Sequence, residues 1–454
     1  MSEALPVLIA VSALALAGCA IPVRSSGRDD ALRLYHDQMR TEDARPGSAD
    51  AADQGPVVIP SELTVDAAIT IAKDRSAKLV ELKARADQAK AQVGVAASLQ
   101  NPELQVQGLR LDQILDGQPR ERTTVKVPLP RPGEVDARIA AAQADEATAT
   151  AALRAAELEI EADVRWLFDD VLLLDAQIKA ADAVVAARDA VAVQMKARLD
   201  AQQATALDET MAAITAAEAV EDRVALAALR SASRARLFVQ LGMPADADVK
   251  IVGAPPETWP PPPLPEERPL IELALQRRPE IEAAIAKMDS ADARTYAEQV
   301  KRWPWLTFVE LGYAVGPNVK EGLGFTFQAG VELPIFNTNS KGVAAAEAGQ
   351  RAAKANLANA VQTVSRDVRV RREAARVAEQ QVTELKTRVL PASGRAGAEI
   401  QKALSGHDVD VVLALMVDVR RVRVELLYLD AIRRYRAAVS DLRRSVGGSL
   451  PGAK

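Results

Sequence analysis

From Glu134 to Leu241 the chain contains neither glycine nor proline. In a stretch rich in Ala, Glu and Arg this leaves nothing to stop a helix, so the segment is predicted to be helical almost throughout. Within it Val164, Leu167, Val171, Leu174, Ile178, Ala181 and Val185 recur at alternating spacings of three and four, the seam of a coiled coil. A later stretch keeps the rhythm with Leu357, Val361, Val364 and Val368, then Ala375, Ala378, Val382, Leu385 and Val389, interrupted by Arg371. At 1.5 Å per residue, about 65 residues of continuous helix reach roughly 100 Å. The chain must fold back, and turns are expected near Ala201 to Leu207 and at Ser405-Gly406-His407-Asp408, where Gly406 supplies the break. Hydrophobic residues make up 48% of the chain and aromatics only 3%. Apolar residues that are mostly Ala, Val and Leu suit closely packed helices better than thick cores.

The chain also repeats itself. Ile69-Thr70-Ile71-Ala72, Leu79 and Asn101-Pro102-Glu103-Leu104 line up, at one constant offset, with Ile271-Glu272-Leu273-Ala274, Ile281 and Trp303-Pro304-Trp305-Leu306. Val125-Lys126-Val127-Pro128-Leu129 matches Val331-Glu332-Leu333-Pro334-Ile335 with a small shift. Such self-similarity means one structural unit used twice. The units are read as 60–251 and 270–447, joined by a linker over 252–269 whose proline run from Pro255 to Pro265 cannot be helix interior. Each unit has a helical segment, two strands and a helical hairpin. Strands are expected at 103–111 and 122–129 before a hairpin over 134–245, and at 305–315 and 324–335 before a hairpin over 341–446. The fold class is mainly α with a β part.

In the last strand Phe325, Phe327, Ala329, Val331 and Leu333 alternate with polar or small residues, and Thr307, Val309, Leu311, Tyr313 and Val315 alternate less cleanly. Runs of about ten residues with two unlike faces have the length and pattern of tilted membrane strands, although a half-buried soluble hairpin alternates in the same way. Four strands cannot close a membrane barrel, and open edges are intolerable in lipid. A membrane role therefore requires an oligomer, in which a dimer supplies eight strands and a trimer twelve. Aromatic residues crowd around the second strand pair. Trp303, Trp305, Tyr313, Phe325 and Phe327 are read as a membrane-interface girdle, with a local core hairpin as the alternative.

Several functions are excluded. With 57 Lys+Arg against 62 Asp+Glu, a net charge of -5 and no basic run, the chain has no electrostatic footprint for nucleic acid. His36 and His407 are its two histidines and Cys19 its one cysteine, so no zinc site and no His or Cys/His nucleophile arrangement can be assembled. No Gly-rich phosphate loop accompanies the carboxylates. The reading is a non-enzyme with no cofactor and no metal site.

Cys19 has a different role. Leu5 to Ala17 is apolar, too short to span a bilayer, and ends in small residues. Leu16-Ala17-Gly18-Cys19 resembles the bacterial lipobox, which implies a signal peptide over 1–18 and lipidation of Cys19. The stretch before Leu5 departs from such signals in carrying Glu3 and no Lys or Arg. Acyl chains anchor by about 0.8 kcal/mol per buried CH₂, and residues 19–59 read as an extended tether. Ala20 after the cysteine is compatible with export to the outer membrane.

This order of parts, duplicated behind a lipobox, resembles the TolC family of outer-membrane efflux channels over about Pro60 to Val446. The resemblance is carried by the pairs Pro102/Pro304 and Pro128/Pro334, by Val331 to Phe336 followed by Asn337-Thr338-Asn339-Ser340-Lys341-Gly342, and by hairpin signatures with a basic residue four positions before a Gly. Lys402 to Gly406 fits that signature, whereas Arg198 to Gln202 has lost the Gly. The resemblance implies a homotrimer with a twelve-stranded barrel in outer-membrane lipid and an α-helical tunnel across the periplasm. It also implies a periplasmic adaptor of the membrane fusion protein class and an inner-membrane pump, here of the RND type. Val331 to Gly342 and Gly133 to Arg138 resemble the heavy-metal subgroup, although Pro130-Arg131-Pro132-Gly133 departs from its usual turn. Export of drugs or other small molecules is the alternative, followed by a lipid-anchored periplasmic coiled-coil scaffold. Asp200, Asp208, Asp408 and Asp410 lie near the hairpin tips and are read as acidic rings at the periplasmic entrance, against a plainer role as helix caps. Arg198, Lys402 and Gly406 are the expected adaptor-docking tips.

Overall fold

The computed structural model describes residue 33 and residues 62–107, 121–245, 247–253, 263–315, 324–405 and 411–451. Cys19 with the signal peptide and tether, Pro255 to Pro262 of the linker, and Gly406, Asp408 and Asp410 lie outside the described residues. The chain divides into Met1–Ile59 and Pro60–Lys454, and every element below belongs to the second unit.

The first repeat opens with β1 (Glu62–Leu63), α1 (Val65–Arg75) and α2 (Ala77–Ala97). Thr64 caps α1 by accepting the Ala67 N–H, and Ser76 both ends α1 and caps α2 by accepting the Leu79 N–H. Strands β2 (Glu103–Gln107) and β3 (Glu121–Pro128) follow, then α3 (Glu134–Asp200), α4 (Ala206–Gln240) and β4 (Lys250–Ile251). The second repeat runs α5 (Glu267–Arg277), α6 (Pro279–Val300), β5 (Trp305–Val315), β6 (Gly324–Glu332), α7 (Ser340–Glu384), a π-helical turn at Leu385–Val389, α8 (Leu390–Ser405) and α9 (Val411–Val446). Here Arg278 holds the break that Ser76 holds in the first repeat, and Pro279 starts α6 at the position where a missing N–H costs nothing.

Burial follows the duplication. Ala68, Ile69, Ala72 and Leu79 enter one core with Ile160, Val164, Phe168, Leu237 and Phe238. Their counterparts Leu270, Ala274 and Ile281 enter a second core with Val364, Val368, Ala375, Val382 and Leu442. The heptad residues Val164, Val171, Leu174 and Ala181 are buried, as are Val364, Val368, Ala375, Ala378 and Val382. The 67-residue α3 packs on α2, α4, α6 and α9, so Phe168, Leu173 and Gln177 are buried on further faces.

Several elements differ from expectation. β6 stops at Glu332 rather than 335, because Pro334 has no N–H to pair and Ile335 donates locally to the Leu333 carbonyl at 2.8 Å. α5 already begins at Glu267 inside the expected linker, and α4 ends at Gln240, followed by Gly242 at φ 63°. The second hairpin is not uniformly α-helical: Leu390 N–H donates to the Leu385 carbonyl, one residue further back than in an α-helix. Pro391 next to this turn lacks an N–H and crowds the preceding ladder, which widens to accommodate it. A parallel pair, β1 with β4, was not foreseen at all. It joins the two ends of the first repeat, with Lys250 Nζ 2.9 Å from Glu62 Oε1 and Val252 N–H on the Leu63 carbonyl.

Candidate functional site

The four longer strands form one antiparallel sheet in the order β2-β3-β5-β6, so the two repeats meet at β3 and β5. Its register sorts the side chains. Leu104, Val125, Leu311 and Phe327 stand in one row across all four strands, and Val106, Thr123, Tyr313 and Phe325 in the next. This apolar face is open: Leu104 is 68% exposed, Leu311 62%, Phe325 76% and Phe327 70%. Tyr313 and Phe325 touch there with ring centroids 5.7 Å apart. The opposite face carries Glu103, Lys126, Glu310 and Gln328 in one row and Gln105, Thr124, Gly312 and Thr326 in another. At Gly312 a Cβ would fall 2.5 Å from Thr326 Oγ1 and 2.7 Å from Thr124 Cγ2, so the two threonines close over the glycine. Phe308 lies across Gly330 in the same way, with Lys126 Nζ 4.6 Å from its ring.

A sheet with its apolar face exposed and its polar face opposite inverts what a soluble hairpin needs. It suits lipid outside and water inside, the arrangement of a membrane barrel strand set.

The expected girdle residues do not share one face. Tyr313, Phe325 and Phe327 lie on the apolar face, whereas Trp305 pairs with Glu332 on the polar side and donates its indole N–H to the Leu129 carbonyl at 3.0 Å. The cause is a register shift between Leu306 and Phe308, which flips the strand's facing below Val309. Trp303 precedes the strand and is exposed.

Arg131 organises the junction beneath the sheet, a role not visible in its sequence setting. It is 8% exposed, donates to the Trp303 carbonyl at 2.6 Å and pairs with Glu332 at 2.7 Å, thereby tying the first repeat's turn to β6. The next turn residue, Gly133, starts α3 at φ 76°, and a Cβ there would lie 2.6 Å from the Tyr296 hydroxyl. The corresponding start of α7 is Asn339, also left-handed at φ 52°, whose amide donates to Glu298 O at 2.9 Å and Glu298 Oε2 at 2.7 Å. The Asn339 amide, followed by Lys301, holds the Glu298 carboxyl below its usual range.

At the first hairpin tip, Arg198 and Asp200 lie in the last turn of α3, and Asp208 in the first turn of α4. Asp208 accepts from Thr205 N–H at 2.9 Å and Thr205 Oγ1 at 2.7 Å, and its own N–H donates to Thr205 Oγ1. These bonds form a capping box and pull the Asp208 carboxyl below its usual range. The turn itself is a Schellman cap, with Gln203 N–H on the Arg198 carbonyl, Gln202 N–H on the Leu199 carbonyl and Gln202 at φ 58°. The position where the family signature has Gly is therefore left-handed even though Gln occupies it. At the second tip, Lys402 lies 3.6 Å from Glu399.

Sequence reading missed the most buried charged group among the described residues of the bundle. Asp170 in α3 accepts from Ser233 Oγ at 2.7 Å and Arg433 Nε at 2.6 Å, connecting α3 and α4 to α9 of the second repeat. Among the described residues, no group of three or more His, Cys, Asp or Glu converges to hold a metal ion, and no helix is long and apolar enough to cross a membrane.

Comparison with known proteins bears on this arrangement. Residues 270–397 match a family described as outer membrane efflux protein. The chain is 27% identical over 341 residues to the cobalt-zinc-cadmium resistance protein CzcC of Cupriavidus metallidurans, covering 74% of this chain and 78% of that protein. The fold resembles the open state of the Neisseria gonorrhoeae MtrE outer membrane channel, with a TM-score of 0.69 and 20% identity over 86% of this chain and 90% of the other. It also resembles the Vibrio cholerae outer membrane protein VceC, with a TM-score of 0.67 and 15% identity over 85% and 96% of the respective chains.

Proposed function

We propose that this chain is an outer membrane efflux protein with the TolC-type fold and serves as the exit channel of a tripartite system exporting heavy-metal cations. Channels of this family form trimers and work with adaptor and pump partners. The observation that carries the channel reading is the four-stranded sheet with its apolar face open and β2 and β6 at its edges. Edge strands cannot remain unpaired in lipid, and three copies placed edge to edge make a closed wall of twelve strands with the polar rows inward. The coiled-coil hairpins then continue that wall as the periplasmic tunnel.

The metal assignment rests on the similarity to CzcC and on the Val331 to Gly342 segment. A conduit passes its cargo hydrated and needs no ligand cluster. The inner-membrane partner is assigned as an RND pump, reached through an adaptor that docks at Arg198, Lys402 and Gly406. Cys19 carries the lipid that tethers residues 19–59 to the membrane. Asp200, Asp408 and Asp410 are assigned to acidic rings at the tunnel entrance, whereas the Asp208 carboxylate is committed to its capping box.

The purified trimer is expected to conduct ions in a planar bilayer, and loss of the gene to lower tolerance to cobalt, zinc or cadmium. A non-conducting monomer would remove the channel reading, and unchanged metal tolerance with raised drug sensitivity would replace the cargo. Asp408→Asn with Asp410→Asn should weaken cation selectivity in single-channel recordings; unaltered selectivity discards the ring. Disruptive substitutions at Arg198 and Lys402 should abolish co-purification with the adaptor, and retained co-purification moves the docking site elsewhere.

A further inference from the structure

A cleft of about 260 Å³ lies between the middle of α3 and the last turns of α9, where Gly448 and Ser449 close it. Two of its arginines are anchored by carboxylates. Arg165 donates to Glu161, which also receives Lys73 Nζ at 2.7 Å, and Arg444 pairs with Asp163. The third, Arg443, differs. Its Nε is buried and, among the described residues, has no hydrogen-bond partner.

A buried guanidinium donor left unpaired is costly, and like charges beside it add to the cost. Burial, then Arg165 and Arg436, pushes the Arg443 pKa below its usual value. Asp169 opposes this, and burial raises its own carboxyl. A water molecule in the cleft could accept one hydrogen bond from the terminal guanidinium nitrogens of Arg443, its Nε being out of reach, but could not neutralise the surplus positive charge. An anion does both.

We propose that this cleft binds a phosphate-type oxyanion, with Arg443 as its principal ligand between the anchored guanidiniums of Arg165 and Arg444. Guanidinium groups present paired donors that match oxyanion edges, and Ser440 and Ser449 bring hydroxyl donors to the same walls. Donors of this number on the walls of one cleft suit a tetrahedral anion with acceptors on all sides better than a carboxylate with two. The bound anion would fasten the end of the second repeat to the long helix of the first. The site is independent of what passes through the channel.

Titration of the full-length protein in detergent with inorganic phosphate, at constant ionic strength set by chloride, is expected to show saturable heat and a saturable rise in the unfolding midpoint. Arg443→Met should weaken binding at least ten-fold. Arg434→Met, which alters a guanidinium paired with Asp430 outside the cleft, should leave it unchanged. Should Arg443→Met fail to assemble, Arg443→Lys keeps the charge but loses the fork and should also weaken binding. The proposal is overturned if phosphate binds no better than chloride, or if phosphate binding survives both Arg443 substitutions undiminished.

Discussion

Arg433 on the last helix of the second repeat holds the Asp170 carboxylate on the longest helix of the first, with Nε 2.6 Å from Oδ1 and Asp170 only 3% exposed. Ser233 donates to the other carboxylate oxygen, so the buried charge is both paired and hydrogen-bonded. Removing one partner strands the other: Arg433→Met should destabilise the folded chain by about 3 to 5 kcal/mol. Asp170→Leu with Arg433→Met should cost much less than the single change, because no lone charge remains. Denaturant unfolding of the two variants decides this.

The left-handed Gln202 at the first hairpin tip makes an unusual stabilising substitution available. Gln202→Gly relieves a Cβ conflict worth about 1 kcal/mol without touching the Schellman bonds to Leu199 and Arg198. The unfolding midpoint should rise, and Gln202→Val at the same position should lower it.

Gly133 tests the junction. Gly133→Ala places a methyl group at φ 76° and against the Tyr296 ring, so a loss of at least about 1 to 2 kcal/mol is expected from the backbone alone. Adding Tyr296→Ala should recover the steric part and leave the backbone part, a division readable from thermal melts of the single and double variants.

The two faces of β6 should respond oppositely to charge. Phe327→Arg places a guanidinium on the apolar face, where a cost of about 2 to 4 kcal/mol is expected in the bilayer. Gln328→Arg adds the same group to the polar face and should be tolerated with altered ion selectivity. Outer-membrane yield of heat-resistant trimer separates the two; equal yields would remove the assignment of the apolar face to lipid.

Acid sensitivity should trace to specific pairs. The Lys73 hydrogen bond holds the Glu161 carboxyl below the ordinary 4.5, and Asn339 does the same for Glu298. Carboxylates lowered in the folded state contribute stability that is complete above about pH 4.5 and lost as pH falls through the lower folded values. Lys73→Met should therefore flatten the fall in stability below about pH 4.5, as measured by urea midpoints across that range.

The helices, the strands and the duplication were legible because each is written in short-range patterns. The absence of Gly and Pro from Glu134 to Leu241, the heptads and the strand alternation all act within a few residues of one another. The capping role of Asp208 was also within reach, since Thr205 stands three positions before it. Of the residues read as a girdle, Tyr313, Phe325 and Phe327 share a face of the sheet, but Trp305 does not. A single extra residue between Leu306 and Phe308 reverses its side, and nothing in the composition of Trp305-Leu306-Thr307-Phe308 marks where a strand will bulge.

The sequence by itself determined the kinds of element, their order and their two-fold recurrence, because propensity and periodicity are local properties of the chain. Only the tertiary structure decided which side chains meet across it. Asp170 and Arg433, Arg131 and Glu332, and the β1–β4 pair are each brought together from distant positions. A lone Arg or Asp in a helical stretch looks like any solvated charge until packing removes its water, and the energy of a buried charge depends on the partner that packing supplies.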